Sequence, residues 1–207
     1  MLNDEDNDRQ YEIALTQQKP LPLSSIALAE LLKPGAKFSR MRRCRTALTL
    51  ASSHLQLHST SWLKEPWDSA DVYFPMENNV VSYDHPFLPK VIFQQSSANP
   101  PKKRDRSFTT LGIVLLELCF GTLLDAHPLW HDSSFPRNPS DPVQQQAVAY
   151  EWAEDVEEQE GVDYATAVKW CLRESPTSIA DDKWREDFAQ NVVQPLQRCY
   201  DFMVGKH

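Results

Sequence analysis

The chain has 207 residues, of which 41% are hydrophobic, 24% charged and 10% aromatic. Values this close to the globular average exclude a wholly disordered, collagen-like or coiled-coil chain and imply one domain of about 150 residues, or one with a long tail. With 21 Lys and Arg against 29 Asp and Glu, the formal net charge is −8, which argues against general affinity for nucleic acid, whose phosphates are bound by surplus cations. Five Gly stand against fifteen Pro, and none lies between Gly35 and Gly112, so neither a GxGxxG nor a GxxxxGK[ST] phosphate loop is present.

Residues 1–19 are acidic and polar with few apolar anchors, so they read as a mobile tail ahead of one domain over 20–204. No signal peptide pattern is visible, since the start is acidic rather than basic and then apolar. Ser24 or Ser25 is expected to cap a short helix carrying Ile26, Leu28, Leu31 and Leu32, ended by Pro34 and Gly35. Ser39 then caps a helix running to about His58, with Met41, Leu48, Ala51, Leu55 and Leu57 at helical spacing. From Trp62 to Phe93 the segments DVYFP and VVSY read as short strands or extended loops, interrupted by Pro66, Pro75, Pro86 and Pro89. Residues 94–107 are a polar, Pro-containing loop.

The helix from about Phe108 to Phe120 is apolar on every side apart from Thr109, Thr110, Gly112 and Glu117. Such a helix must be wrapped by other elements, so it is the expected centre of the fold. The apolar run Leu111–Leu124 has 14 residues and contains Glu117, too short and too polar to span a bilayer. A Pro-rich connection, His127–Pro142, cannot be helical throughout. Three helices follow, Val143 to about Gln159, Asp163–Arg173 and Lys183–Met203. Cys44, Cys119, Cys171 and Cys199 contain no CxxC pair, which suits a reduced, intracellular protein.

Chemistry-bearing motifs are sparse. His54 and His58, and again His127 and His131, have the i, i+4 spacing that can suit a metal, but HLQLH lacks the Glu of HExxH and HPLWH holds a Pro. Surface or cap histidines are the expectation, with no metal site. No Ser lies in a GxSxG elbow and no Cys has the context of a nucleophile, so no catalytic residue is assigned. The run from Glu151 to Asp163 reads as a solvated acidic face, or alternatively as a docking surface for a basic partner. Lys37, Arg40, Arg42, Arg43 and Arg45 gather at a helix start, where the dipole disfavours cations. They call for acids nearby, either within the protein, an acidic partner, or phospholipid headgroups. Trp152, Trp170 and Trp184 are expected in the core, and Trp62, Trp67 and Trp130, in turns and loops, are the candidates for an interface.

The segment SFTTLGIVLLELCFG resembles the central helix of the protein-kinase C-lobe, with Leu111, Gly112, Glu117 and Gly121 at the spacing of that pattern. RTALTLASSHLQLH is similar to the kinase helix ending in Leu-His before the catalytic loop, and YATAVKWCLRESP to a late C-lobe segment, so the likeness covers about residues 38–204. The departures decide what it implies. There is no HxD between His58 and Leu88, no glycine for a DFG, Ser107 where the kinase helix opens with Asp, and too little chain before Ser39 for an N-lobe.

A closer likeness is to an uncharacterised family of filamentous-fungal proteins whose C-terminal domain resembles a degenerate kinase lobe. Its features are SIALAELL, RRCRTALTLASSHLQL, the Thr60-Ser61-Trp62-Leu63 turn, LGIVLLEL, AVKWCL and VVQPL, over about residues 21–198. Some members add a domain similar to the HeLo domains of fungal prion-inhibition proteins, which this sequence lacks. The resemblance implies a mainly α, kinase C-lobe-like domain with a few short strands and no N-lobe. The expected function is non-catalytic protein interaction without a cofactor. The partner is a protein rather than nucleic acid, met through Trp62, Trp67, Trp130, Arg42, Arg43 and Arg45. The alternative is a divergent transferase or nucleotide binder that borrows an N-lobe and holds magnesium with Asp68 or Asp71.

Overall fold

A computed structural model describes residues 2–4, 9–11, 24–58, 60, 67–89, 106–131, 141–173 and 183–206. Within the expected tail, β1 (Leu2–Asp4) and β2 (Arg9–Tyr11) pair antiparallel. A second, three-stranded antiparallel sheet has the order β3 (Ser24–Ala27), β4 (Tyr73–Glu77), β5 (Val80–Val81). The rest of the described chain is mainly helical.

The expected Ser-capped helix begins later than its sequence suggests. Ser24 and Ser25 belong to β3, where Ser25 pairs with Pro75 and Ile26 with Phe74. The helix, α1 (Leu28–Leu31), has Ala27 at its N-cap. Its first amides are satisfied by the partner loop instead, Leu28 N–H donating to Val72 O at 2.7 Å and Ala29 N–H to Ser69 O at 2.9 Å. A strand partner thus supplies the acceptors that a serine cap would have offered.

In α2 (Arg40–Leu57), Ser39 does cap the helix, its side chain accepting from Arg42 N–H. The face it buries differs from the expected one. Cys44, Ala47, Ala51 and His54 turn inward, while Met41 is half exposed and Leu48 and Leu55 are partly buried. Small side chains at 47 and 51 let α2 approach the helix it packs against, α3 (Ser107–Phe120).

That helix is the centre. Ten of its residues are buried, and α2, α4 (Pro142–Ala153), α5 (Val156–Glu160) and α6 (Val162–Arg173) all pack on it. Helix α6 comes close at Gly112, where a Cβ would stand 2.9 Å from Leu172 Cδ2 and 3.1 Å from Cys171 Cβ. Tyr164 of α6, fully buried, donates its hydroxyl to Leu115 O at 2.9 Å.

The single helix expected over Val143–Gln159 is two, broken at Glu154 and Asp155. The last helix is continuous in direction but consists of α7 (Lys183–Phe188), a π turn over Ala189–Val193 and α8 (Gln194–Met203). Pro195 explains the π turn: it has no N–H for the carbonyl four residues back, and its ring crowds that carbonyl, so the register widens. Gln194 N–H accordingly donates to Ala189 O, five residues back. No helix among the described residues is long and apolar enough to cross a membrane.

Candidate functional site

The C-terminal end of α3 organises a cleft. Gly121 closes the helix at φ +70°, a left-handed conformation that Gly adopts without cost, and its N–H donates to Glu117 O at 2.8 Å. The reversed chain brings Leu124 N–H to 2.9 Å from Glu117 Oε1. On the other side, Asp68 and Asp71 tie the turn before β4, Asp68 Oδ1 accepting from Ala70 N–H and Asp71 Oδ2 from Asp68 N–H. This turn holds Ser69 so that its hydroxyl donates to Glu117 Oε2. Glu117 is therefore a buried carboxyl that fastens two loops to the central helix.

Above it opens a cleft of about 270 Å³, walled by Trp67, Trp130, Ile113 and Leu123, with Asp68 and Asp125 exposed in its lining. Trp130 sits on the helical turn Pro128–His131 and is half buried. Burial pushes the Glu117 carboxyl up to about 7, opposed by its two hydrogen bonds and reinforced by Asp68 and Asp125. Among the described residues, three carboxyl groups and two indoles line this space, and no Lys, Arg or His does.

The residues singled out in the sequence are dispersed. Trp130 lines the cleft. Trp67 lines it too, but is 7% exposed and belongs chiefly to the core. Trp62 lies outside the described residues. The basic cluster is turned to internal use. Arg43 reaches the end of α3, donating from Nε to Leu118 O at 2.7 Å and from Nη1 to Phe38 O at 3.1 Å. Arg42 lies over the Tyr83 ring at 4.2 Å, Arg45 pairs with Asp84 at 2.5 Å, and Arg40 with Glu160 at 2.9 Å. Of the three alternatives for these cations, contact within the protein is realised for Arg40, Arg42, Arg43 and Arg45, and one partner, Glu160, comes from the acidic run.

His58 is the C-cap residue of α2 and partly buried, whereas His54 is interior, the two rings 5.1 Å apart in a cluster with Phe108, Trp184 and Phe188. His58 Nδ1 lies 3.0 Å from Ser107 Oγ. Among the described residues no group of three or more His, Cys, Asp or Glu is placed to hold a metal ion. The four cysteines are free, and burial raises every thiol, Cys44 to about 12 and Cys199 to about 11. A thiolate nucleophile is correspondingly disfavoured at neutral pH.

In the sequence Glu117 stands out as an exception in an apolar helix and as a position of the kinase-helix pattern, but not as the meeting point of Ser69, Leu124 and Asp125. The signal was there: an ionisable residue on a helix wrapped on all sides has to find donors. What the sequence could not supply was the pairing of loops some fifty residues apart.

A known sequence family matches almost the whole of this chain, the cleft included. The chain belongs to the family described as a domain of unknown function, DUF7580, whose profile matches residues 3–201. No curated protein and no solved structure matches it.

Proposed function

We propose that this DUF7580 chain is a non-catalytic protein-interaction module, a degenerate kinase C-lobe-like domain of a filamentous fungus, and that it receives its partner at the cleft around Trp130. The observation that carries this reading is the cleft itself, a concave surface walled by indoles with a satisfied carboxyl at its floor. Tryptophans at the mouth of a pocket supply large buried area at little entropic cost, which is what recognition surfaces use. Its volume, about 270 Å³, falls below the roughly 300–1,000 Å³ of clefts that hold drug-sized ligands, and suits one inserted side chain better than a nucleotide. Four free cysteines fit an intracellular setting.

The test has two arms. Selection from a displayed random-peptide library is expected to yield a consensus with the wild-type chain and none with Trp130→Ala. Thermal unfolding is expected to be unchanged by ATP and magnesium. A nucleotide binder would instead gain about 2.7 kcal/mol at a hundred times its dissociation constant, and that gain would favour the transferase alternative.

A further inference from the structure

We infer that the group received by this cleft is the guanidinium of an arginine on a basic partner segment. The inference rests on the interaction reading above and names the chemistry of the contact. Charge complementarity is the first ground. Glu117 forms the floor, Asp68 and Asp125 stand exposed in the lining, and among the described residues the lining holds no cationic side chain. Asp68 commits Oδ1 to the Ala70 N–H, and the second oxygen of its carboxylate is not used by that turn. A planar fork of N–H donors matches such carboxylates better than an ammonium does.

The second ground is the aromatic wall. Trp130 is half buried in the lining, so an indole borders the same space as the carboxylates. A guanidinium stacks on an indole face while its edge donates to acids, and tryptophan is the best of the aromatic side chains for that contact. The third is Trp67, whose ring lines the cleft while more than nine-tenths buried, adding apolar wall against which the methylenes of an arginine pack. Among the described residues, Arg40, Arg43 and Arg45 bond to Glu160, to the end of α3 and to Asp84, Arg42 lies over Tyr83, and Arg198 bonds to Asp163.

The test uses the whole chain, labelled with nitrogen-15, and two small probes, N-acetyl-arginine amide and N-acetyl-citrulline amide. Citrulline has nearly the same shape but a neutral urea in place of the guanidinium. The arginine probe is expected to shift the Trp130 indole and the Ser69 and Asp125 amide signals in a saturable way. The citrulline probe should bind about tenfold more weakly, the factor that one charge-assisted hydrogen bond confers. Asp68→Asn with Asp125→Asn should weaken the arginine probe by a similar factor. Equal response to both probes, or no saturable response to arginine, overturns the inference. If arginine fails to bind while Trp130→Ala still abolishes peptide selection, the cation is wrong and the interaction module stands. If peptide selection yields no consensus at all, the module itself fails.

Discussion

Burial holds the Glu117 carboxyl near 7 against an ordinary value of 4.5, even though the Ser69 hydroxyl and the Leu124 N–H both favour the anion. Asp68 and Asp125, the charged groups that face it, push in the same direction as burial. In the unfolded chain the group loses its proton near 4.5. Between about 4.5 and about 7 the folded state therefore holds a proton that the unfolded state has released, so stability falls as pH rises through that window. The gap is worth about 3 kcal/mol. Glu117→Gln removes the titration and keeps a group able to accept from Leu124 and donate to Ser69. Its urea-unfolding stability should be flat between about pH 5 and about pH 8 and should exceed that of the wild type at the upper end; parallel profiles would refute the assignment. Gly121 is the other sensitive residue. An alanine there is forced to φ +70° with its Cβ 3.1 Å from the Arg43 guanidinium, which already bonds to the last carbonyls of α3. Gly121→Ala should cost about 2 kcal/mol, lowering Tm by about 4–8 °C in calorimetry.

Helix α2 is the element where pattern and packing diverge. Its large apolar residues suggest one stripe, but the buried positions are Cys44, Ala47, Ala51 and His54, because a wrapped central helix admits a small-residue face at close range. The consequence is an asymmetry that the sequence alone would invert. Ala47→Leu, enlarging a fully buried side chain, should destabilise by about 1–3 kcal/mol. Met41→Ala, at a side chain half exposed, should change stability by no more than about 0.5 kcal/mol. Denaturant midpoints of the two variants decide between the faces. The same contrast governs what could be read in advance. Ser39 capping α2 and Gly121 ending α3 are local events, decided by a few adjacent residues, and both were legible. The start of α1 was not, because its amides bond to Ser69 and Val72, some forty residues away. The break at Glu154 and Asp155 was missed because nothing in that acidic stretch punctuates the helix as Gly or Pro would.

At the scale of the molecule, the mainly helical architecture followed from hydrophobic periodicity, and the central place of α3 from its lack of a polar face. The cleft did not, since its walls come from α1, the turn before β4, α3, the turns after it and α4. Of its lining, the sequence points to Trp67 and Trp130 as interface candidates, beside arginines that the fold employs internally, and to Asp68 and Glu117 in other roles. The charged surface is correspondingly less one-sided than the sequence suggests, with Arg40 joined to Glu160, Lys169 to Glu154 and Arg198 to Asp163. The Lys169–Glu154 and Arg198–Asp163 pairs are largely exposed and add little stability, about 0–1 kcal/mol each, whereas the Glu160 side chain is almost fully buried. Among the described residues, the cleft is a place where exposed carboxylates and aromatic surface coincide.

The account is tested most directly by titrating the peptide obtained from library selection into the nitrogen-15 labelled chain and mapping the shifted amides. Recognition at the cleft predicts that they gather on Ala29, Ser69, Ile113 and Leu123–Asp125. Shifts gathered instead around the exposed Val80 hairpin, or around Val162 and Phe202 at the end of α8, would contradict it.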